Sequence, residues 1–110
     1  MKRKSRLTRR ADFDRSIHGG RRFSSTSLAL FVRDNEVGRL RVGLAVSRKL
    51  GNAVVRNRVK RRLREVVRTL DGGPLTGQDV VIVARPPAAN AGYEALRKEL
   101  SELWMREERL

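Results

Sequence analysis

The chain has no cysteine, one histidine, three prolines and five aromatic residues in 110. Each shortage excludes something. Without cysteine there is no disulfide and no thiolate metal site. With only His18, a zinc site of the usual histidine–cysteine kind cannot be assembled. No apolar run approaches the length of a membrane span. MKRKSRL at the N-terminus is basic, but no apolar stretch follows it as in a signal peptide. Acidic residues are also scarce, with 12 Asp and Glu against 26 Lys and Arg.

The formal charge is therefore +14. Such a field attracts polyanions and makes association salt-dependent. The charge is uneven: residues 1–70 hold 21 basic and 5 acidic side chains, residues 71–110 hold 5 and 7. The first two thirds are expected to build the binding surface and the last third to complete the fold. The length suits one domain, 1–110, with residues 1–7 as a flexible basic arm.

What the chain does have is concentrated in LGNAVVRNRVKRRLREVVRTL, residues 50–70. Seven of the thirteen side chains from Arg56 to Arg68 are basic. Val55, Val59, Leu63, Val66 or Val67, and Leu70 recur every three or four residues, which predicts a helix packed on one side. Arg58, Arg61, Arg62, Glu65 and Arg68 lie on the other. A cationic face of this kind can be merely solvated, lie on a membrane, or bind a partner. The preponderance of arginine, whose fork fits phosphate oxygens, favours nucleic acid. Gly51 supplies a turn before the helix and Asn52 is its candidate N-cap, with a later start near Arg56 also open. This junction, with Asn57 and its flanking arginines, is the best candidate phosphate site.

The remaining elements follow in order. Thr8 caps a short helix over residues 9–18, with Asp12 and Asp14 near its positive end and the Gly19-Gly20 pair closing it. Phe13 and Ile17 share one of its faces. Two readings of Phe13 stay open: a ring packed against a sheet, or a platform for a nucleobase. Strands are expected over 21–25, 27–33 and 40–47. Leu28, Leu30 and Val32 form one face of the second; Leu40, Val42, Leu44 and Val46 form one face of the third. The latter two pair most simply as an antiparallel hairpin. The opposite face of the third strand, Arg41, Gly43, Ala45 and Ser47, is small and partly basic, and leaves room for a ligand. Residues 71–74 end the long helix. DVVIVA, 79–84, reads as a central or well-covered strand, stopped by Arg85-Pro86-Pro87. Asn90 is the candidate cap of a last helix whose stripe is Tyr93, Leu96, Leu100, Leu103 and Trp104. Its glutamates make that helix a poor ligand for nucleic acid.

No base–nucleophile pair, phosphate loop or dinucleotide fingerprint is present. Asp12 and Asp14 are two apart and do not share a helix face. No residue is assigned a catalytic or metal-ligating role. Composition alone does not separate RNA from DNA, although a sheet beside a basic helix suits folded RNA.

RVGLAVSRKLGNAVVRNRVKRRLRE, residues 41–65, closely resembles the signature of the bacterial ribonuclease P protein component. RLTRRADFDRSIHGGRRFSS, DVVIVARPPA and the Tyr93–Trp104 segment resemble its flanking elements, so the likeness covers nearly the whole chain. It implies an α+β fold, a two-layer α/β sandwich of order α-β-β-β-α-β-α, related to the second domain of a small-subunit ribosomal protein. It also implies a left-handed crossover, the opposite of the usual hand. The activity implied is that of an accessory subunit. The ribonucleoprotein cuts the 5′ leader from precursor tRNA, with Mg²⁺ held mainly by the RNA, which performs the hydrolysis. One protein per catalytic RNA, in the cytoplasm and away from membranes, is expected. Carried over residue by residue, Arg48, Lys49, Asn52, Arg56, Asn57, Arg58, Lys60, Arg61, Arg62, Arg64 and Arg68 would face the catalytic RNA. Gly51 and Ala53 would shape the helix entry. Arg9, Arg10, Phe13, Ile17, Arg41, Ala45 and Ser47 would line a leader cleft between the first helix and the open face of the sheet. Ile17 stands where some relatives carry a second aromatic.

Overall fold

A computed structural model describes residues 6–7, 10–70 and 77–108. The Thr8 cap, Arg9 and the helix end at 71–74 lie outside the described residues. The elements are α1 (Arg10–Gly19), β1 (Arg21–Ser24), β2 (Leu28–Asp34), β3 (Arg41–Val46), α2 (Ala53–Leu70), β4 (Gln78–Ala84) and α3 (Tyr93–Glu108). This is the α-β-β-β-α-β-α order that the resemblance implies. Short 3-10 turns at Arg48–Leu50 and Pro86–Asn90 precede α2 and α3.

The four strands form one sheet in the order β1-β2-β4-β3. The expected β2–β3 hairpin does not exist. β4 lies between those strands, antiparallel to β2 and parallel to β3. The reason lies in β4 itself: Val80, Val81, Ile82 and Ala84 are all buried, so this strand must be paired on both edges and covered on both faces. Alternation in β3 fixes which residues share a face, but not which strand lies alongside.

One face of the sheet carries the core. Leu28, Leu30, Val32, Val42, Val80 and Ile82 meet Val59, Leu63, Val66 and Val67 of α2 and Leu96, Leu100, Leu103 and Trp104 of α3. These are the apolar stripes that the helical spacing predicts. Val55 and Leu70, at the stripe's two ends, are half-buried. Leu50 and Ala88, from the two 3-10 turns, close the core's edge. The opposite face carries α1 over one end. It is not as open as the small side chains of β3 suggest, because the Phe13 ring occupies the space above Gly43. A Cβ on Gly43 would stand 2.4 Å from Phe13 Cζ.

Two local expectations change. Asn90 does not cap α3: it ends the 3-10 turn, and the first helical bond is donated by Leu96 N–H to the Gly92 carbonyl at 3.1 Å. Arg6 and Leu7, at the end of the expected basic arm, are held to the sheet. Arg6 bridges to Val42 in parallel, Leu7 N–H donates to the Val42 carbonyl at 2.9 Å, and Leu7 is buried. The pairing uses the otherwise bare edge of β3. A further tie joins α3 to the β1–β2 turn. Glu99 Oε1 accepts from Ser25 Oγ at 2.6 Å and from Ser27 N–H at 2.8 Å. Burial pushes the Glu99 carboxyl up, but the bonds from Ser25 and Ser27 outweigh it and hold the group below its ordinary value.

Candidate nucleic-acid interface

The entry to α2 is built as the sequence indicates. Ser47 leaves β3, Arg48–Leu50 makes one 3-10 turn, and buried Leu50 pins it to the core. Gly51 has φ of +142°, a conformation that L side chains rarely adopt. Asn52 Oδ1 accepts from Val55 N–H at 3.1 Å, and Arg56 N–H donates to the Asn52 carbonyl at 3.0 Å. Arg48 and Lys49 are exposed just ahead of this capped end. Val54, in the first turn, is 72% exposed, an apolar side chain placed beside cations.

Along α2 the basic residues divide into three rows. At 100° per residue, Asn57, Arg61 and Arg68 point directly away from the buried stripe, and all three are exposed. Arg68 shares its charge with Glu65 at 3.0 Å. Arg58 and Arg62 lie to one side and reach the turn before α3. Arg62 Nη1 donates to the Ala91 carbonyl at 2.8 Å, and Arg58 Nη2 to the Ala89 carbonyl at 3.4 Å. Part of their donor capacity is thus spent inside the fold, which sequence periodicity cannot reveal. Arg56, Lys60 and Arg64 lie to the other side, half-buried. Among the described residues, none of these three makes an ion pair with a carboxylate.

Lys60 and Arg64 face a cavity of about 180 Å³ at the β3 edge. Its other walls are Arg6 and Leu7, Phe13, and Val42, Gly43 and Leu44. The cavity therefore brings together residues that the resemblance divides between two RNAs: cations of α2 and the aromatic of α1. Of the two open readings of Phe13, the structure bears on the packing one. It is packed on the sheet at Gly43, and it lines the cavity.

Beyond Phe13 the same face of the sheet continues. Phe31, Val81 and Gly43 form one cross-strand row, and Ala29, Val83 and Ala45 the next. Ala45 and Val83 are half-buried, and Ser47 beyond them is exposed. Ile17 is half-buried one turn along α1 from Phe13, and Arg10 is exposed at the start of that helix. The Arg22 guanidinium lies 5.7 Å from the centre of the Phe31 ring.

Arg41 is placed differently from the other cleft candidates. It forms a fork on Asp79, with Nε to Oδ1 and Nη2 to Oδ2 both at 2.8 Å. Asp79 has no exposed surface. It also accepts from Arg33 Nη2 at 3.1 Å and Asn35 Nδ2 at 2.8 Å. Burial pushes the Asp79 carboxyl up, but the hydrogen bonds from Arg41, Asn35 and Arg33 and the Arg41 charge together hold it below its ordinary value. The hydrogen bond to Asp79, aided by its charge and that of Asp12, raises Arg41 against its own burial. Sequence reading passes over Asp79 as the first residue of an apolar strand. The signal was there: an acid opening a strand that is otherwise buried needs a partner.

Comparison with known proteins agrees with this architecture. The sequence model of a family described as ribonuclease P matches residues 1–108. The ribonuclease P protein component of Streptococcus pneumoniae serotype 4 is 37% identical over 100 residues, 91% of this chain and 81% of that protein. The solved ribonuclease P protein of Staphylococcus aureus superposes with a TM-score of 0.85 at 29% identity, over 94% of each chain. That of Thermotoga maritima gives 0.79 at 28% identity, over 92% of this chain and 96% of that one. The chain therefore belongs to the ribonuclease P protein family, whose bacterial members are the accessory protein subunit of the ribonucleoprotein endoribonuclease that processes tRNA.

Proposed function

We propose that this chain acts as a single domain that joins two RNAs, holding the catalytic RNA on α2 and the 5′ leader of precursor tRNA in the cleft beside α1. The observation that carries this reading is the shared cavity: Phe13 stands on one wall, Lys60 and Arg64 on another. An aromatic ring beside cations suits an unpaired strand, with a base stacked on the ring and its phosphates near the charges. Asn57, Arg61 and Arg68 project the opposite way from the core and suit the catalytic RNA, with Arg48, Lys49 and the capped entry at Asn52 extending that surface. Arg56, Lys60 and Arg64 lie between the two ligands. The leader would continue over Ala45 and Ser47, flanked by Ile17 and Arg10. Arg9 belongs to the same proposal but lies outside the described residues.

The protein's own contribution is binding and orientation. Concentrated positive charge lowers the repulsion between two polyanions and raises the affinity of the particle for its substrate. Mg²⁺ is the metal proposed for the reaction, and the side chains among the described residues do not fit it. No three His, Cys, Asp or Glu side chains come together among the described residues, and the interface is cationic. In this proposal hydrolysis and its metal belong to the RNA, in a cytoplasmic particle with one protein per catalytic RNA. No helix among the described residues is long and apolar enough to cross a membrane.

Two variants test the division of labour. Arg61→Ala is expected to weaken assembly with the catalytic RNA and to lower the salt slope of binding by about one. Phe13→Ala is expected to leave assembly intact and weaken binding of leader-bearing precursor by about 1–3 kcal/mol. Equal weakening by Phe13→Ala for leaderless tRNA would remove Phe13 from the leader site.

A further inference from the structure

Asp79 sits in the middle of a cross-strand row. Its register partners are Arg33 on β2 and Arg41 on β3, and both turn their guanidinium groups onto it. With Asn35, four donor contacts converge on its two oxygens, which fills the lone-pair sites a carboxylate offers. Arg41 then has one nitrogen to spare. Its Nη1 lies 3.6 Å from Asp12 Oδ2, on the opposite side from Asp79. Asp12 belongs to α1, is 9% exposed, and directly precedes Phe13. Its backbone carbonyl also accepts from buried Ser16 Oγ at 3.0 Å.

We propose that the chain Asp79–Arg41–Asp12 is a positioning device that fixes how α1 crosses the sheet and so holds the Phe13 ring over Gly43. Arg41 is thereby a positioning residue for the leader cleft rather than a leader contact. Its fork is committed to Asp79, and only 18% of its side chain is exposed. The geometry leaves little tolerance. The ring sits 2.4 Å from where a Cβ of residue 43 would be, so a small rotation of α1 either drives it into β3 or lifts it off. A planar fork held from below by a saturated carboxylate has one orientation, and it presents Nη1 at one place. Asp12, nearly buried, follows that charge. The inference rests on the reading of the Phe13 cleft as the leader site, and the experiment separates the two.

The assay uses the protein assembled with its catalytic RNA. Affinity is measured for precursor tRNA with a leader and for leaderless tRNA. In the free protein, the ring-current shift of the Gly43 Hα protons reports the Phe13 ring directly. Asp12→Asn is expected to diminish that shift and to weaken leader-bearing precursor roughly fivefold, the low end of one base stack. Leaderless tRNA and catalytic-RNA affinity stay unchanged. Arg41→Lys keeps the charge but loses the fork, and the same loss of ring-current shift is expected; Asp12→Glu, which keeps the carboxylate, restores most of it. An unchanged Gly43 shift in Asp12→Asn overturns the proposal, and so does a loss of leader affinity with the ring still in place. If Phe13→Ala itself has no leader-specific effect, the leader reading fails, and the Gly43 shift still decides the positioning role.

Discussion

Two arginines one position apart on α2 are expected to behave differently. Arg61 is exposed and makes no hydrogen bond to the fold among the described residues, whereas Arg62 donates to the Ala91 carbonyl at 2.8 Å. Arg61→Ala should leave thermal unfolding unchanged while weakening RNA. Arg62→Ala should do both, with a stability loss of about 1 kcal/mol from the missing bond, read by thermal denaturation. Indistinguishable melting curves would mean that the Arg62 bond contributes nothing. At Gly43 the argument is steric. A methyl group there would meet the Phe13 ring at 2.4 Å, so Gly43→Ala should displace the ring and reproduce the leader-binding defect of Phe13→Ala without altering residue 13. Equilibrium binding of leader-bearing and leaderless tRNA checks this.

At the level of elements, the apolar stripe of α2 stands where the spacing puts it, and of the two starts the sequence leaves open the helix takes the earlier, with the Gly51 turn and the Asn52 cap. The reason is that helical periodicity and capping are local physics. Strand neighbours are not local. The alternation of β3 identifies its core face, but the insertion of β4 between β2 and β3 depends on pairing and covering a strand that is buried on both faces. For the same reason the cleft was legible only in part. Phe13 was visible as an isolated aromatic, while the Asp79 row and the meeting of Phe13 with Lys60 exist only in the assembled sheet. The tie between α3 and the β1–β2 turn carries its own prediction. Glu99 and Asp79 are both held below their ordinary values by bonds made only in the fold. Their contribution to stability is therefore present above the unfolded carboxylate range, near pH 4, and is lost as pH falls through the lower folded values. Glu99→Gln should reduce stability at neutral pH and flatten its decline on acidification, as measured by urea denaturation between about pH 3 and 7. An unchanged pH slope would show that the Ser25–Glu99–Ser27 link carries no net stability.

The whole molecule is a distribution of charge imposed on a small core. The 21 basic side chains of residues 1–70 cannot all be neutralised by the 5 acids there, and of those Asp12 is buried and, with Asp79 from the last third, is spent on aligning α1 and the sheet. What remains outside is a cationic surface that includes the α2 ridge and the cations beside α1. The central claim is that such a protein serves catalysis only through RNA. The most direct measurement is 5′ cleavage of precursor tRNA by the bacterial catalytic RNA at low Mg²⁺, where the RNA alone is nearly inactive, with and without this chain. The account predicts strong stimulation of correct 5′ processing by the protein and no cleavage by the protein without the RNA. No stimulation, or cleavage by protein that survives rigorous removal of RNA, would contradict it.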